Sequence, residues 1–66
     1  MAITGSQRAT LVYLHNNGAY VPIGIAEETG YERETISRAL SELEDADLVR
    51  RKGHGVWEIT EEGSQQ

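Results

Sequence analysis

Arg33 and Arg38 stand five residues apart, with Glu34, Thr35 and Ser37 between them and Ser41 just beyond. A guanidinium carries five N–H donors in a planar fork, which matches a phosphate or the O6/N7 edge of guanine. The hydroxyls of Thr35, Ser37 and Ser41 can reach phosphate or a base edge. Glu34 can accept from a cytosine amine. A second basic group follows at Arg51 and Lys52, beside His54. Its chemistry is electrostatic: cations of this kind neutralise phosphates, and the imidazole adds charge when it is protonated. Plainer readings stand beside these. Glu34 and Arg38, at i and i+4, would make an intrahelical pair of about 0.2–0.5 kcal/mol, and Glu34 would compensate a helix dipole.

Other chemistries have little to stand on. The chain has no cysteine, so neither a disulfide nor a thiolate metal site is available. His15 and His54 are the only imidazoles and lie far apart in sequence, so no metal and no cofactor is expected. No serine or threonine has a histidine close by in sequence. Gly53-His54-Gly55 sits between two extended segments and not before a helix, so it is no phosphate loop. The carboxylate clusters lack an apolar pocket to shift their pKa values. No catalytic residue is expected, and the chain does not read as an enzyme. No apolar run approaches the roughly 20 residues needed to span a bilayer. Residues 1–6 carry neither the basic nor the apolar part of a leader, so a cytoplasmic protein without membrane contact is expected.

Two helices joined by a tight turn must position the first basic group. Ala26, Gly30 and Ile36 are spaced for this: a small residue lets the helices approach, glycine turns the chain, and a branched apolar residue anchors the second helix. A first helix is expected from Ser6, as its N-cap, to about Asn17. Leu11 and Leu14 form its apolar stripe, broadened by Val12 and Tyr13, and Gly18 stops it. Ala19 to Val21 reads as extended, because the residue before a proline is pushed toward β geometry. Pro22 then opens a helix to about Thr29. The third helix spans about 33–46, with Ile36, Ala39, Leu40 and Leu43 at i, i+3, i+4 and i+7 on its buried face.

Residues 48–51 and 56–60 read as strands around the turn at Gly53-His54-Gly55. Alternation sends Arg50 and Arg51 to opposite faces. Trp57 and Ile59 share a face and are expected to close the core. Trp57 could instead stack on a single-stranded base. Tyr20 and Tyr31 read as packing residues with wet hydroxyls. Thr60 caps a final turn to Gly63. The whole, residues 1–66, reads as one domain with 1–5 and 64–66 frayed. A domain this small is helped by oligomerisation. No small-molecule effector is predictable.

The net charge is −5, from eleven acids and six bases. That opposes a polyanionic partner, but five of the six bases fall between Arg33 and Lys52. Many of the acids lie in groups of their own, at Glu27-Glu28, from Glu42 to Asp47, and at Glu61-Glu62. Such a surface suits either a cytoplasm of high salt or a basic protein partner.

At this point residues 8–63 resemble the winged helix-turn-helix domains of small prokaryotic transcriptional regulators, with archaeal, phage repressor-like versions most similar. The residues that carry the resemblance are Tyr13-Leu14 with Asn17-Gly18, Ile25 to Gly30, Thr35 to Leu40 with Glu42-Leu43, Asp47 to Val49, and Gly53 to Thr60 with Gly63. The sequence departs from the pattern at Glu32, where a Ser or Thr cap is usual, and at Glu34. The resemblance implies an α+β fold, three helices plus a two- or three-stranded antiparallel wing sheet. It implies sequence-specific binding of double-stranded DNA by a homodimeric regulator, a repressor. Arg33, Glu34, Thr35, Ser37, Arg38 and Ser41 would enter the major groove. Arg51, Lys52 and His54, on a wing over 51–55, would meet the flanking backbone or minor groove. The alternative is an acidic winged-helix protein–protein interaction module that touches no DNA.

Overall fold

A computed structural model describes residues 2–65. Helix α1 spans Gly5–Asn17, α2 Pro22–Thr29 and α3 Arg33–Asp45. Strands β1 (Val49–Gly53) and β2 (Val56–Ile59) form an antiparallel hairpin, and a single turn, α4, covers Glu61–Ser64. This is the expected winged helix-turn-helix.

The start of α1 differs from expectation. The cap is Thr4 and not Ser6: the Thr4 hydroxyl accepts from the Gln7 backbone N–H, and the Gln7 side chain accepts from the Thr4 N–H at 3.0 Å. That reciprocal box satisfies two donors that a lone Ser6 cap would leave open. Ser6 lies inside the helix, and its carbonyl accepts from Thr10 Oγ1 at 2.8 Å. The segment expected to fray therefore carries a helix cap at Thr4–Gly5, and α4 extends to Ser64. The expectations for Met1 and Gln66 lie outside the described residues.

The helix-turn-helix follows the sequence closely. Pro22 occupies the first turn of α2, where its missing N–H costs nothing. Gly30 closes α2 in the left-handed conformation, φ 82°, and its N–H donates to the Ala26 carbonyl. Ile25, Ala26, Ile36, Ala39, Leu40 and Leu43 are all buried, so the two helices share one apolar seam. Leu11 and Leu14 complete it from α1, while Val12 is left 51% exposed. Thr10 and Gln7 are buried polar residues whose side chains find partners within α1 or on α3.

The hairpin register pairs Val49 with Ile59, Arg50 with Glu58, and Arg51 with Trp57, then slips so that Gly53 faces Val56. Lys52 is the extra residue of that bulge, which turns the tip relative to the base. Trp57 is paired on both sides. Its backbone also exchanges two hydrogen bonds of 2.9 Å with Tyr20, giving a one-residue third strand from the extended stretch before Pro22. Trp57 is buried, so its ring closes the core as expected. Tyr20 and Tyr31 are partly exposed, and Tyr20 meets Tyr13 edge-to-face with ring centroids 5.0 Å apart. Among the described residues no helix is long and apolar enough to cross a membrane.

Candidate nucleic-acid interface

The helix α3 buries one face and presents the rest. With 3.6 residues per turn, Arg33, Ser37, Ser41 and Glu44 fall at i, i+4, i+8 and i+11 and form one stripe. Glu34, Arg38, Ser41 and Asp45 form the stripe directly opposite the core. Arg33, Glu34, Ser37, Arg38 and Ser41 are all exposed. Thr35 is not part of this surface. It lies two residues from Ser37, about 200° around the helix, and is half-buried. Its flank is that of Glu42, which accepts from Gln7 Nε2 of α1 at 2.8 Å. The structure thus brings five of the six expected α3 residues onto the solvent side and leaves the sixth half-buried on the flank of Glu42.

The charges on this surface are largely uncommitted. Among the described residues the ion pairs are Arg50–Glu58 at 2.7 Å and Arg51–Glu44 at 3.7 Å. Arg33 and Arg38 enter neither, so the intrahelical Glu34–Arg38 pair does not form. Glu32 sits at the N-cap position of α3 without a side-chain cap bond. The first N–H groups of the helix therefore keep their donors free.

The wing divides its cations by strand alternation. Arg50 lies on one face and spends its charge on the cross-strand Glu58. Arg51 lies on the other, opposite Trp57, with its guanidinium carbon 4.9 Å from the ring centroid. Lys52 and His54 are exposed at the tip, where Gly53 (φ 152°) and Gly55 (φ 70°) supply the backbone angles that the turn demands.

Two features of this surface were not singled out from sequence. Pro22 and Ile23, at the start of α2, line a shallow concavity with Arg33, Glu34 and Ser37. Ile23 is 51% exposed there, beside the stripe of Arg33 and Ser37. Its position off the Ile25–Ala26–Thr29 face was the available signal. Glu44 belongs to the stripe of Arg33 and Ser37, and only the fold reveals its contact with the wing.

Elsewhere, a groove between α1 and α4 is lined by Ile3, Leu11, Val12 and Ile59, with Arg8 and His15 at its side; its volume is about 220 Å³. No group of three or more His, Cys, Asp or Glu residues is placed to hold a metal among the described residues. Among the described residues one titration is clearly displaced, that of Tyr13 on α1. Hydrogen bonding with the Tyr20 side chain, helped by removal from water and by the Tyr20 and Glu28 charges, pushes the Tyr13 hydroxyl up to about 12.

The fold is shared with known regulators and with nucleic-acid-binding domains. The chain is similar to RV1404 from Mycobacterium tuberculosis, with a TM-score of 0.89 at 28% identity over 96% of this chain and 47% of that one. It is similar to NadR in complex with 4-hydroxyphenylacetate, with a TM-score of 0.85 at 30% identity over 96% of this chain and 48% of that one. A third similar structure is the Zalpha domain from Carassius auratus PKZ in complex with Z-DNA, with a TM-score of 0.77 at 26% identity over 83% of this chain and 92% of that one. The chain spans about half the length of RV1404 and of NadR. No curated protein matches it by sequence. The family model that does match, described as the MarR family, covers residues 3–56. That is most of the domain, from the Thr4 cap through α3 to the start of β2, and the chain belongs to the MarR family.

Proposed function

We propose that this chain is a sequence-specific, double-stranded-DNA-binding transcription regulator that represses by occluding a promoter. The α3 stripes enter the major groove, and the wing over 51–55 lies on the flanking backbone or minor groove. The observation that carries this reading is the exposed, unpaired state of Arg33 and Arg38 beside Ser37 and Ser41 on one helix. Arg38 and Arg33 are the guanine or phosphate ligands, Ser37 and Ser41 the hydroxyl contacts, and Glu34 a discriminator that accepts from cytosine. Ile23 adds apolar contact to a thymine methyl or a sugar. Arg51, Lys52 and His54 supply backbone contacts. A two-fold homodimer reads half-sites about one helical turn apart.

The neighbours widen the ligand question in two ways. One was solved with Z-DNA, so left-handed duplex belongs among the probes. Another was solved with 4-hydroxyphenylacetate, so a small-molecule effector, for which the sequence alone offered no basis, joins the candidates. The α1–α4 groove is below the about 300–1,000 Å³ of ordinary ligand pockets.

The test is selection of bound duplexes from a random pool at low salt, repeated with Arg38→Ala and with a left-handed alternating dC·dG duplex as competitor. Loss of a bidentate arginine contact costs about 1–3 kcal/mol at the base it reads and relaxes specificity there. With about four phosphate contacts per protomer, log K falls against log salt with a slope near −4. Binding to no duplex at low salt refutes the proposal and returns the acidic interaction module as the better reading. Preferential binding of the left-handed competitor replaces major-groove insertion.

A further inference from the structure

Among the described residues, Arg51 differs from the other arginines and Lys52 in being held at two points. Strand register sets it directly opposite Trp57 on the same face of the hairpin, and cross-strand pairs of this kind lie within side-chain reach. Its guanidinium stands over the indole ring at 4.9 Å from the centroid. From the other side, Glu44 Oε2 of α3 approaches Arg51 Nε to 3.7 Å. That distance is an ion pair but too long for a hydrogen bond. Arg50–Glu58, at 2.7 Å, is a true charge-assisted bond and spends a donor. Arg51 therefore keeps its N–H donors unspent, and its side chain remains 65% exposed. Glu44 is on the same α3 stripe as Arg33 and Ser37, so the contact ties the recognition helix to the wing.

We propose that Trp57 and Glu44 are positioning residues for Arg51. In the free protein they hold the guanidinium between wing and recognition helix, and on binding a DNA phosphate displaces Glu44 while the indole keeps the arginine in place. The inference rests on the DNA-binding reading above. Glu44 is then an internal stand-in for phosphate. It orders the wing cation before binding and competes with the nucleic acid for it. The competition is modest, because an exposed ion pair is weak.

The experiment is a double-mutant cycle on the selected duplex, with wild type, Glu44→Gln, Arg51→Met and the doubly substituted protein. Circular dichroism confirms that each is folded, since both side chains are exposed enough to be exchanged without opening the core. The expected result is that Glu44→Gln tightens binding about two- to fivefold, the range of an exposed ion pair. In the Arg51→Met background the same substitution changes affinity by less than about 1.5-fold, because its effect passes through Arg51. An equal gain in both backgrounds makes Glu44 an ordinary acid repelling DNA and overturns the proposal. So does a loss or no change with Glu44→Gln alone. Trp57 is the only tryptophan, so its emission reports the guanidinium directly. Without DNA, Arg51→Met is expected to shift the emission, and Glu44→Gln to shift it part of the way in the same direction. Identical spectra overturn the positioning role. If wild type binds no duplex, the DNA-binding reading itself fails and the phosphate exchange with it; binding without coupling removes only the exchange.

Discussion

Gly63→Ala is the substitution most diagnostic of how the wing is fastened. Gly63 is buried in α4, and a Cβ there would run into the Leu48 carbonyl oxygen and lie 2.7 Å from Ile59 Cγ1. The Leu48 carbonyl is not free to move aside, because it accepts from the Thr60 N–H at 3.0 Å. Thr60 is fixed in turn: its hydroxyl accepts from Gly63 N–H at 3.0 Å and donates to the Asp47 carbonyl at 2.7 Å. Asp47 itself sits at φ 62°, the reversal that leads from α3 into β1. Overpacking costs about 1–3 kcal/mol, toward the upper end where a backbone atom must yield. Alanine recovers at most about 0.8–1.0 kcal/mol of helix preference over glycine, less in a single turn. The net loss is about 1–2 kcal/mol, which for a domain of this size lowers Tm by about 5–15 °C. Thermal unfolding followed by far-ultraviolet circular dichroism and by Trp57 emission measures it, with the exposed Ser64→Ala as control. A Gly63→Ala protein as stable as wild type, or more so, refutes the claim that this close approach locks the hairpin to the helices.

Gln7→Ala removes both the reciprocal half of the α1 cap and the 2.8 Å bond to Glu42; a loss of about 1–2 kcal/mol in denaturant unfolding is expected, and an unchanged midpoint contradicts it. Ser37→Ala weakens duplex binding several-fold, whereas Thr35→Val, on the half-buried flank of α3, leaves it within about twofold; the reverse order in a titration would show the helix docking on its other side. The neighbouring Tyr20 side chain pushes the Tyr13 hydroxyl up from an ordinary 10.0 to about 12, so the fold favours its neutral hydroxyl. That contribution to stability is whole below pH 10 and is lost as pH rises through 12. Spectrophotometric titration with Tyr20→Phe as comparison should return Tyr13 downward, and native tyrosines that all titrate together near 10 would contradict the contact.

The parts of the fold governed by local periodicity were readable. Ile36, Ala39, Leu40 and Leu43 declare their face by spacing, and Pro22 and Gly30 mark the ends of α2 by backbone chemistry. The α1 cap was misplaced because Thr4 and Ser6 are equally competent cap residues. What decides between them is Gln7, three residues after Thr4, whose side chain closes the box. Val12 broadened that stripe on paper, yet it points outward because Leu11 and Leu14 already fill the seam. The exposed residues of α3 followed from the same periodicity, and Thr35 was included by proximity in sequence where rotation about the helix removes it. Glu42 with Gln7 and Glu44 with Arg51 depend on how separate elements meet, and nothing local to either residue encodes that.

A charge of −5 opposes binding of a polyanion, but several of the acids lie away from the exposed face of α3. Glu58 is neutralised by Arg50, Glu42 faces Gln7 of α1, and Glu61 and Glu62 lie on α4, which packs against α1 and β2. The molecule measures 25 × 25 × 20 Å. At 0.15 M salt the screening length is about 8 Å, so a phosphate at α3 responds to the charges of α3 itself, Arg33 and Arg38 with Glu34 and Asp45, and to the wing, far more than to acids across the domain. At 0.01 M salt that length is about 30 Å, longer than the protein, and the whole −5 acts at once. The log K against log salt line should therefore be straight near physiological salt and flatten below a few tens of millimolar, as distant acids begin to offset the counterion release gained at the interface. A line that keeps its full slope to the lowest salt would mean that the remote carboxylates are neutralised in some other way, by bound cations or by a partner subunit.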